Sequence, residues 1–208
     1  MVNLIFSLLR AQFVRTTVLV VVFWLCGTTL FISCNNDYTP KPRGYFRIAL
    51  PDRKYTLLDS VFPYKFEYPS YAHITNDPLS PQERNWMNIE MPVFRGRIHI
   101  SYKPIANKTD LTKYTEDARA LALKHMAKAS GIEQIAISNP VHRVYGLVYQ
   151  IKGLGAASPY QFYLTDSIKH FIRGSLYFDV IPNNDSLAPV IDFVQKYIQH
   201  LIETTRWK

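Results

Sequence analysis

Cysteine is almost absent from this chain of 208 residues, which contains only Cys26 and Cys34. Both lie near the N-terminus, so the rest of the chain has no thiol for a disulfide, a cysteine nucleophile or a cysteine-based metal site. Acidic residues are missing from the whole stretch before Cys34. Although the net charge is +8, no run of five or six basic residues occurs, which argues against a nucleic-acid partner.

The N-terminal stretch has the layout of a secretory leader. Arg10 and Arg15 precede the apolar run 18–25, and the small residue Ser33 stands directly before Cys34. This arrangement resembles a bacterial lipobox, although lipoboxes usually carry Leu at the position of Phe31. Cys34 is therefore the predicted lipid attachment point. Acyl chains contribute about 0.8 kcal/mol per buried methylene, so several of them would hold the protein at a membrane.

The leader also divides the chain into three segments. We predict a lipoprotein signal peptide over residues 1–33, a proline-rich lipidated tether over 34–44 and a single globular domain over 45–208. An uncleaved anchor helix over 16–32 is the alternative, but residues 27–29 interrupt the apolar run, which falls short of the about 20 residues that span a bilayer. Both interpretations place the domain outside the cytoplasm, in the periplasm or at the outer membrane.

Alternation of apolar and polar residues predicts a series of strands in the domain. The predicted strands cover residues 45–50, 64–68, 87–91, 98–102, 134–138, 141–151, 160–165 and 169–180, and residues 71–84 are predicted to be a loop. In the pair 87–91 and 98–102, Asn88, His99 and Ser101 alternate with apolar residues, which places them on the solvated face.

In two stretches the apolar residues recur every three or four positions, which is the spacing of an amphipathic helix. The first predicted helix covers about 111–130, with Asp110 as its N-cap and Gly131 just past its end. The second begins among the candidate N-caps 183–186 and carries an apolar stripe from Leu187 to Ile202. Together the elements predict an α+β fold, in which a mainly antiparallel sheet of about seven strands lies between the two helices in three layers. This arrangement is similar to the PsbP/Mog1-like sandwich, a likeness that concerns the fold alone.

The sequence offers few candidates for catalysis. Asp166, Ser167 and His170 supply the ingredients of a serine hydrolase site, but Asp and Ser at a hairpin turn usually bond the backbone of the turn itself. His125 lies on the apolar stripe of the first helix, which indicates a hydrogen-bonded core residue rather than a ligand. We predict no catalytic residue, no metal site and no cofactor.

Two further features are candidates for binding. The small-residue loop 153–158 faintly resembles a phosphate-binding loop, but no helix is predicted after it, which favours a close-packed or flexible loop. Trp86, Tyr163 and Tyr177 occupy nominally outward positions of strands or their ends and are the candidate partner surface.

Several segments of the chain resemble the gliding motility lipoprotein GldD family of Bacteroidetes. The similar segments are residues 40–48, 66–69, 98–103, 144–147, 161–167, 169–178, 185–191 and 201–204. The resemblance implies an envelope lipoprotein that is needed for gliding and for the associated type IX secretion machinery, with other envelope proteins of that machinery as partners. The resemblance implies a function for one residue, the lipid attachment point Cys34, and it implies no active site.

Two other functions remain open at this point. One is a periplasmic hydrolase of an envelope polymer that uses Ser167 and His170. The other is a module that binds a small ligand or a lipid, which requires a cavity between the sheet and a helix.

Overall fold

The computed structural model describes residues 14–21, 24 and 47–208. Residues 14–21 and residue 24 are helical, and no helix within the described ranges is long and apolar enough to cross a membrane. Cys34 and the predicted tether 34–44 lie outside the described residues. The residues from Arg47 to Lys208 belong to one compact unit.

Ten strands and two α-helices form this unit. The strands are β1 (Tyr55–Leu58), β2 (Tyr64–Pro69), β3 (His73–Asn76), β4 (Met87–Met91), β5 (Gly96–Pro104), β6 (Gly131–Asn139), β7 (Val144–Lys152), β8 (Tyr160–Thr165), β9 (His170–Phe178) and β10 (Arg206–Trp207). The helices are α1 (Lys108–Leu123) and α2 (Asn184–Thr204), with 3-10 turns at Pro92–Phe94 and Lys124–Lys128.

All strand pairs are antiparallel. Seven strands form the large sheet in the order β3-β4-β5-β9-β8-β7-β6, and β1, β2 and β10 form a small sheet with β2 at its centre. The predicted α+β class and the seven-stranded antiparallel sheet are confirmed.

The two faces of the large sheet are covered by different helices. On β9, Ile172 belongs to the main core, which includes the α2 residues Val194 and Ile198. The neighbouring residue Phe171 instead packs with Ala118 of α1. Because successive residues of a strand point to opposite faces, α1 and α2 lie on opposite sides of the sheet. This is the predicted three-layer arrangement, and the small sheet joins the α2 layer through the bond from Glu67 N–H to Thr204 Oγ1 (3.0 Å).

The α2 side contains the main apolar core. Residues such as Ile89, Ile98 and Leu176 are fully buried there. The amphipathic pattern of α2 and the period-two pattern of β4 and β5 both predict this core. The α1 side has only a small apolar cluster around Ile105, Ala118 and Phe171.

Helix α1 starts earlier and ends earlier than the sequence predicts. Asn107 is the N-cap and accepts a hydrogen bond from Asp110 N–H (3.0 Å), while the Asp110 carboxylate accepts one from Asn107 N–H (3.3 Å). Asp110 therefore belongs to a capping box and is not the cap itself. The α-helix ends at Leu123, and the chain continues as a 3-10 turn to Lys128.

Several other elements differ from the prediction. Residues 47–50, the described part of the predicted first strand, form no strand, and the first strand is instead β1, which was not predicted. The predicted loop 71–84 contains β3, a short and mostly exposed strand without clear alternation. Strand β7 begins at Val144 because a turn with Arg143 at a positive φ of 54° precedes it. Strand β10 was not predicted, since two residues carry no periodic signal.

Candidate functional site

The α1 face of the large sheet carries a line of polar side chains across its centre, here called the polar row. Its members lie opposite one another on five adjacent strands, in the order Asn88, His99, Ser175, Gln161 and Tyr149. Opposed residues of antiparallel strands have their side chains on the same face. Apart from the half-buried His99, each is no more than 2% exposed. The predicted solvated face of β4 and β5 is therefore partly covered.

The histidine of the polar row is held by its neighbour. Nδ1 of His99 lies 2.9 Å from Oδ1 of Asn88. Burial lowers the pKa of His99; Asp77 opposes this effect, and the guanidinium groups of Arg173 and Arg97 add to it to a smaller extent. Because the amide oxygen of Asn88 can only accept, Nδ1 of His99 is the donor of this hydrogen bond.

Arg173 extends the polar row on β9, two residues before Ser175 and on the same face. Its Nη2 donates a hydrogen bond to Gln161 Oε1 (2.7 Å). Burial lowers the pKa of Arg173. In the described part of the chain, no carboxylate forms an ion pair with this arginine.

Two clefts open onto this face, and His99 lines both of them. The inner cleft, of about 150 Å³, lies between α1 and the sheet and is lined by Trp86, Arg173 and Leu121, among others. The outer cleft, of about 630 Å³, has no α1 residue in its lining, which includes Tyr177 and Leu79. The α1 face therefore combines buried polar groups with accessible space.

The three predicted partner-surface residues all lie on this face, and all are partly buried. Trp86 donates its indole N–H to the Tyr102 carbonyl (2.8 Å) at the inner cleft. Tyr163 stacks on Phe171 beneath α1, with ring centroids 5.4 Å apart. Tyr177 lines the outer cleft. Their role in binding a partner stays a prediction.

The structure does not assemble Ser167 and His170 into a catalytic pair. Ser167 is exposed at a φ of 67°, and its N–H donates to Thr165 Oγ1 (2.9 Å). Nδ1 of His170 lies 2.9 Å from the Tyr102 hydroxyl, and its ring stacks on Trp207 at 5.3 Å. No hydrogen bond joins the two residues within the described region.

Asp166 has a structural role at the same turn. Its Oδ1 accepts hydrogen bonds from the backbone N–H groups of Ile168, Lys169 and His170, at 2.8 to 2.9 Å. Burial opposes ionisation of this carboxyl, but the three donors outweigh it and lower the pKa of Asp166. The residue thus closes the β8-β9 hairpin, as an aspartate at a turn is expected to do.

The remaining two candidates from the sequence are the small-residue loop 153–158 and His125. The loop 153–158 is fastened to the start of α2, because Asn184 Nδ2 donates to the carbonyls of Gly153 (2.8 Å) and Ala156 (3.0 Å). Within the loop, Ala156 and Ser158 are buried, whereas Leu154 and Ala157 are exposed. His125 lies half-buried in the 3-10 turn after α1 and its side chain has no hydrogen bond within the described residues, so the predicted hydrogen-bonded core position is wrong. Burial lowers its pKa. Among the described residues no group of three or more His, Cys, Asp or Glu is placed to hold a metal ion.

The alternation of apolar and polar residues in the sequence predicts only some of the residues on this polar face. It placed Asn88 and His99 on the face opposite the main core, which is correct. It gave no sign that Gln161, Ser175 and Arg173 lie in the same row, because cross-strand register is not visible in one sequence.

The family model for gliding motility lipoprotein GldD matches residues 35–207 of the chain. The chain belongs to this lipoprotein family. Membership implies a membrane-anchored envelope protein, and the match begins at the residue directly after Cys34. No match is found among curated proteins.

A structural similarity supports the fold independently. The solution structure of cyanobacterial PsbP (CyanoP) from Synechocystis sp. PCC 6803 matches with a TM-score of 0.50 and 10% identity, over 86% of this chain and 99% of that one. At this identity the likeness concerns the fold alone, and it agrees with the predicted PsbP-like sandwich.

Proposed function

We propose that the protein is a non-enzymatic accessory lipoprotein of the gliding apparatus and of the associated type IX secretion machinery. A lipid on Cys34 holds it at the membrane, and the domain contacts other envelope proteins of that machinery. The observation that carries this proposal is the family match over residues 35–207, which starts immediately after the predicted acylated cysteine.

The geometry of the described domain agrees with a binding role. The only predicted serine and histidine pair is separated into two structural roles, one in a turn and one in an aromatic stack. The partly buried aromatic residues Trp86, Tyr163 and Tyr177 surround the α1 face, where a partner could bind.

Acylation tests the anchor. Cells that express Cys34→Ser or the matched control Cys26→Ser would be labelled with a clickable fatty acid, and the protein would be followed by membrane fractionation. We expect Cys34→Ser to lose the label, the membrane fraction and gliding, and Cys26→Ser to keep all three. Wild-type behaviour of Cys34→Ser contradicts the proposal.

Crosslinking tests the partner. A photo-crosslinking amino acid at Tyr177 should capture components of the motility or secretion machinery in intact cells, whereas the exposed position Val61 serves as a control. The competing hydrolase hypothesis requires Ser167, so we expect a Ser167→Ala strain to glide and secrete normally. Loss of function in that strain, with normal protein levels, would revive the hydrolase.

A further inference from the structure

The two arginines of the α1 face differ in how their charge is balanced. Arg97 bonds Asp179 through Nη2 and Oδ1 (2.6 Å). Arg173 is more deeply buried, yet the side chain that accepts its hydrogen bond is the uncharged amide of Gln161. A buried guanidinium without a carboxylate is costly, because the charge loses its hydration without gaining a counter-charge. Arg173 is therefore a cation that lacks an anion.

Two buried polar atoms of the polar row also lack partners. In the described residues, neither Gln161 Nε2 nor Ser175 Oγ has a hydrogen-bond partner, although the two residues are 1% and 0% exposed. Such atoms are rare in folded proteins and call for an explanation. Gln161 is bonded to Arg173 and lies opposite Ser175, so all three unusual groups are neighbours.

Two clefts on this face offer space for a ligand. Arg173 lines the inner cleft together with Lys103 and Asp117, and this cleft has room for one small charged group. His99 lines both clefts; the outer one has a volume in the range of ordinary ligand sites, and its wall contains Leu79 and Val180 as well as the charged residues Asp77, Arg97 and Asp179. A charged head at Arg173 and an apolar body in the outer cleft would occupy both clefts.

We infer that the α1 face binds a small organic anion, whose carboxylate or phosphate head is held by Arg173 and whose apolar body occupies the outer cleft. Arginine presents several N–H donors in one plane, which suits both kinds of head. A cation is disfavoured in the inner cleft because two cationic side chains, Arg173 and Lys103, line it with one carboxylate, Asp117. The inference does not depend on the proposed role in motility.

The test uses the full-length lipoprotein in detergent micelles and three probes: phenylacetate, phenyl phosphate and the neutral 2-phenylethanol. The indole N–H signals report binding, because Trp86 lines the inner cleft whereas Trp207 stacks on His170 elsewhere. We expect the anions to shift the Trp86 signal in a saturable manner and to leave Trp207 unchanged. The neutral probe should bind about 30-fold more weakly, and the tighter of the two anions identifies the preferred head.

Two variants and one control complete the experiment. Arg173→Gln should weaken binding of the better anion about 30-fold or more. Arg119→Gln, at an exposed arginine of α1 that bonds Glu116, should bind as the wild type does. If Arg173→Gln does not fold, Ala157→Trp replaces it, because Ala157 is an exposed residue of the outer cleft wall and the larger ring should block the body of the probe by about tenfold or more.

Several results would overturn the inference. These are a Trp86 signal that does not saturate by about 10 mM of either anion, equal binding of the neutral probe, and wild-type affinity in the folded Arg173→Gln or Ala157→Trp protein. A shift of Trp207 as large as that of Trp86 would also overturn it, because it indicates non-specific binding.

Discussion

Arg173 donates a hydrogen bond to Gln161 across 2.7 Å and thereby links a partly buried cation on β9 to a fully buried amide on β8. This bond lies on the α1 face of the large sheet, while the opposite face is packed with apolar residues against α2. The protein therefore has one side of its sheet for stability and another that keeps polar groups under partial cover. Buried polar groups of this kind are a feature of binding sites more than of stable cores.

The first prediction concerns the side-chain amide of Gln161, which accepts a hydrogen bond from Arg173. We expect Gln161→Leu to lower the free energy of unfolding by about 1–3 kcal/mol, because it removes the acceptor of Arg173 Nη2. Gln134 lies opposite Tyr149 on the edge strand β6 and is exposed, so Gln134→Leu is the matched control and should change stability by less than about 0.5 kcal/mol. Urea unfolding measures both, and equal effects would contradict this account.

The hairpin turn gives a second prediction. Asp166→Ala removes the acceptor of three backbone N–H groups, and we expect it to lower the free energy of unfolding by about 2–4 kcal/mol. Ser167→Ala, at the exposed position next to it, should have little effect on stability.

The same residue predicts a dependence on pH. The folded pKa of Asp166 lies below its ordinary value of 3.8, so its contribution is complete above that value and is lost as the pH falls through the folded pKa. The difference between the wild type and Asp166→Ala, measured by urea unfolding, should therefore shrink below about pH 3.8. A constant difference would contradict the role of the carboxylate charge.

Histidine burial predicts a loss of stability in mild acid. Burial lowers the pKa of His99 below its ordinary value of 6.5, so the folded state binds fewer protons than the unfolded state just below that pH. Stability is then complete above about 6.5 and falls as the pH decreases. Thermal unfolding of His99→Gln should show a shallower decline between about pH 6.5 and 5 than the wild type does. Ser101→Ala, a neighbour on the same face that does not titrate, should keep the wild-type slope.

One close approach between strands gives the last prediction. A Cβ atom on Gly146 would lie 1.9 Å from the Tyr163 carbonyl oxygen, so the backbone of β7 or β8 must shift to accept it. We expect Gly146→Ala to cost about 1–3 kcal/mol of unfolding free energy. Gly131 has no atom within 4 Å of the corresponding position, so Gly131→Ala should stay within about 0.5 kcal/mol of the wild type. Similar denaturant midpoints for the two variants would contradict this prediction, because they would show that β7 or β8 can shift at little cost in stability.

The elements that the sequence predicts well are those whose signal is local. The alternation of Tyr64 and Phe66 identified β2, the hairpin turn at Asp166 was placed correctly, and Asn183 caps α2 as one of the predicted candidates. The elements that were missed, β1, β3 and β10, are short strands that pair with an edge of a neighbouring strand. Their formation depends on pairing between distant segments, and propensity has little influence on it.

The same distinction between local signals and long-range pairing applies to the candidate site. The period of two alone determined that Asn88 and His99 lie on the face opposite the apolar core, because successive side chains of a strand point to opposite sides. Only the tertiary structure decided that α1 covers this face and that register brings Gln161, Ser175 and Arg173 into line with them. The sequence shows which residues are polar. Burying them has a cost in free energy only when separate strands and a helix enclose them, so the tertiary structure is needed to identify them as a candidate site.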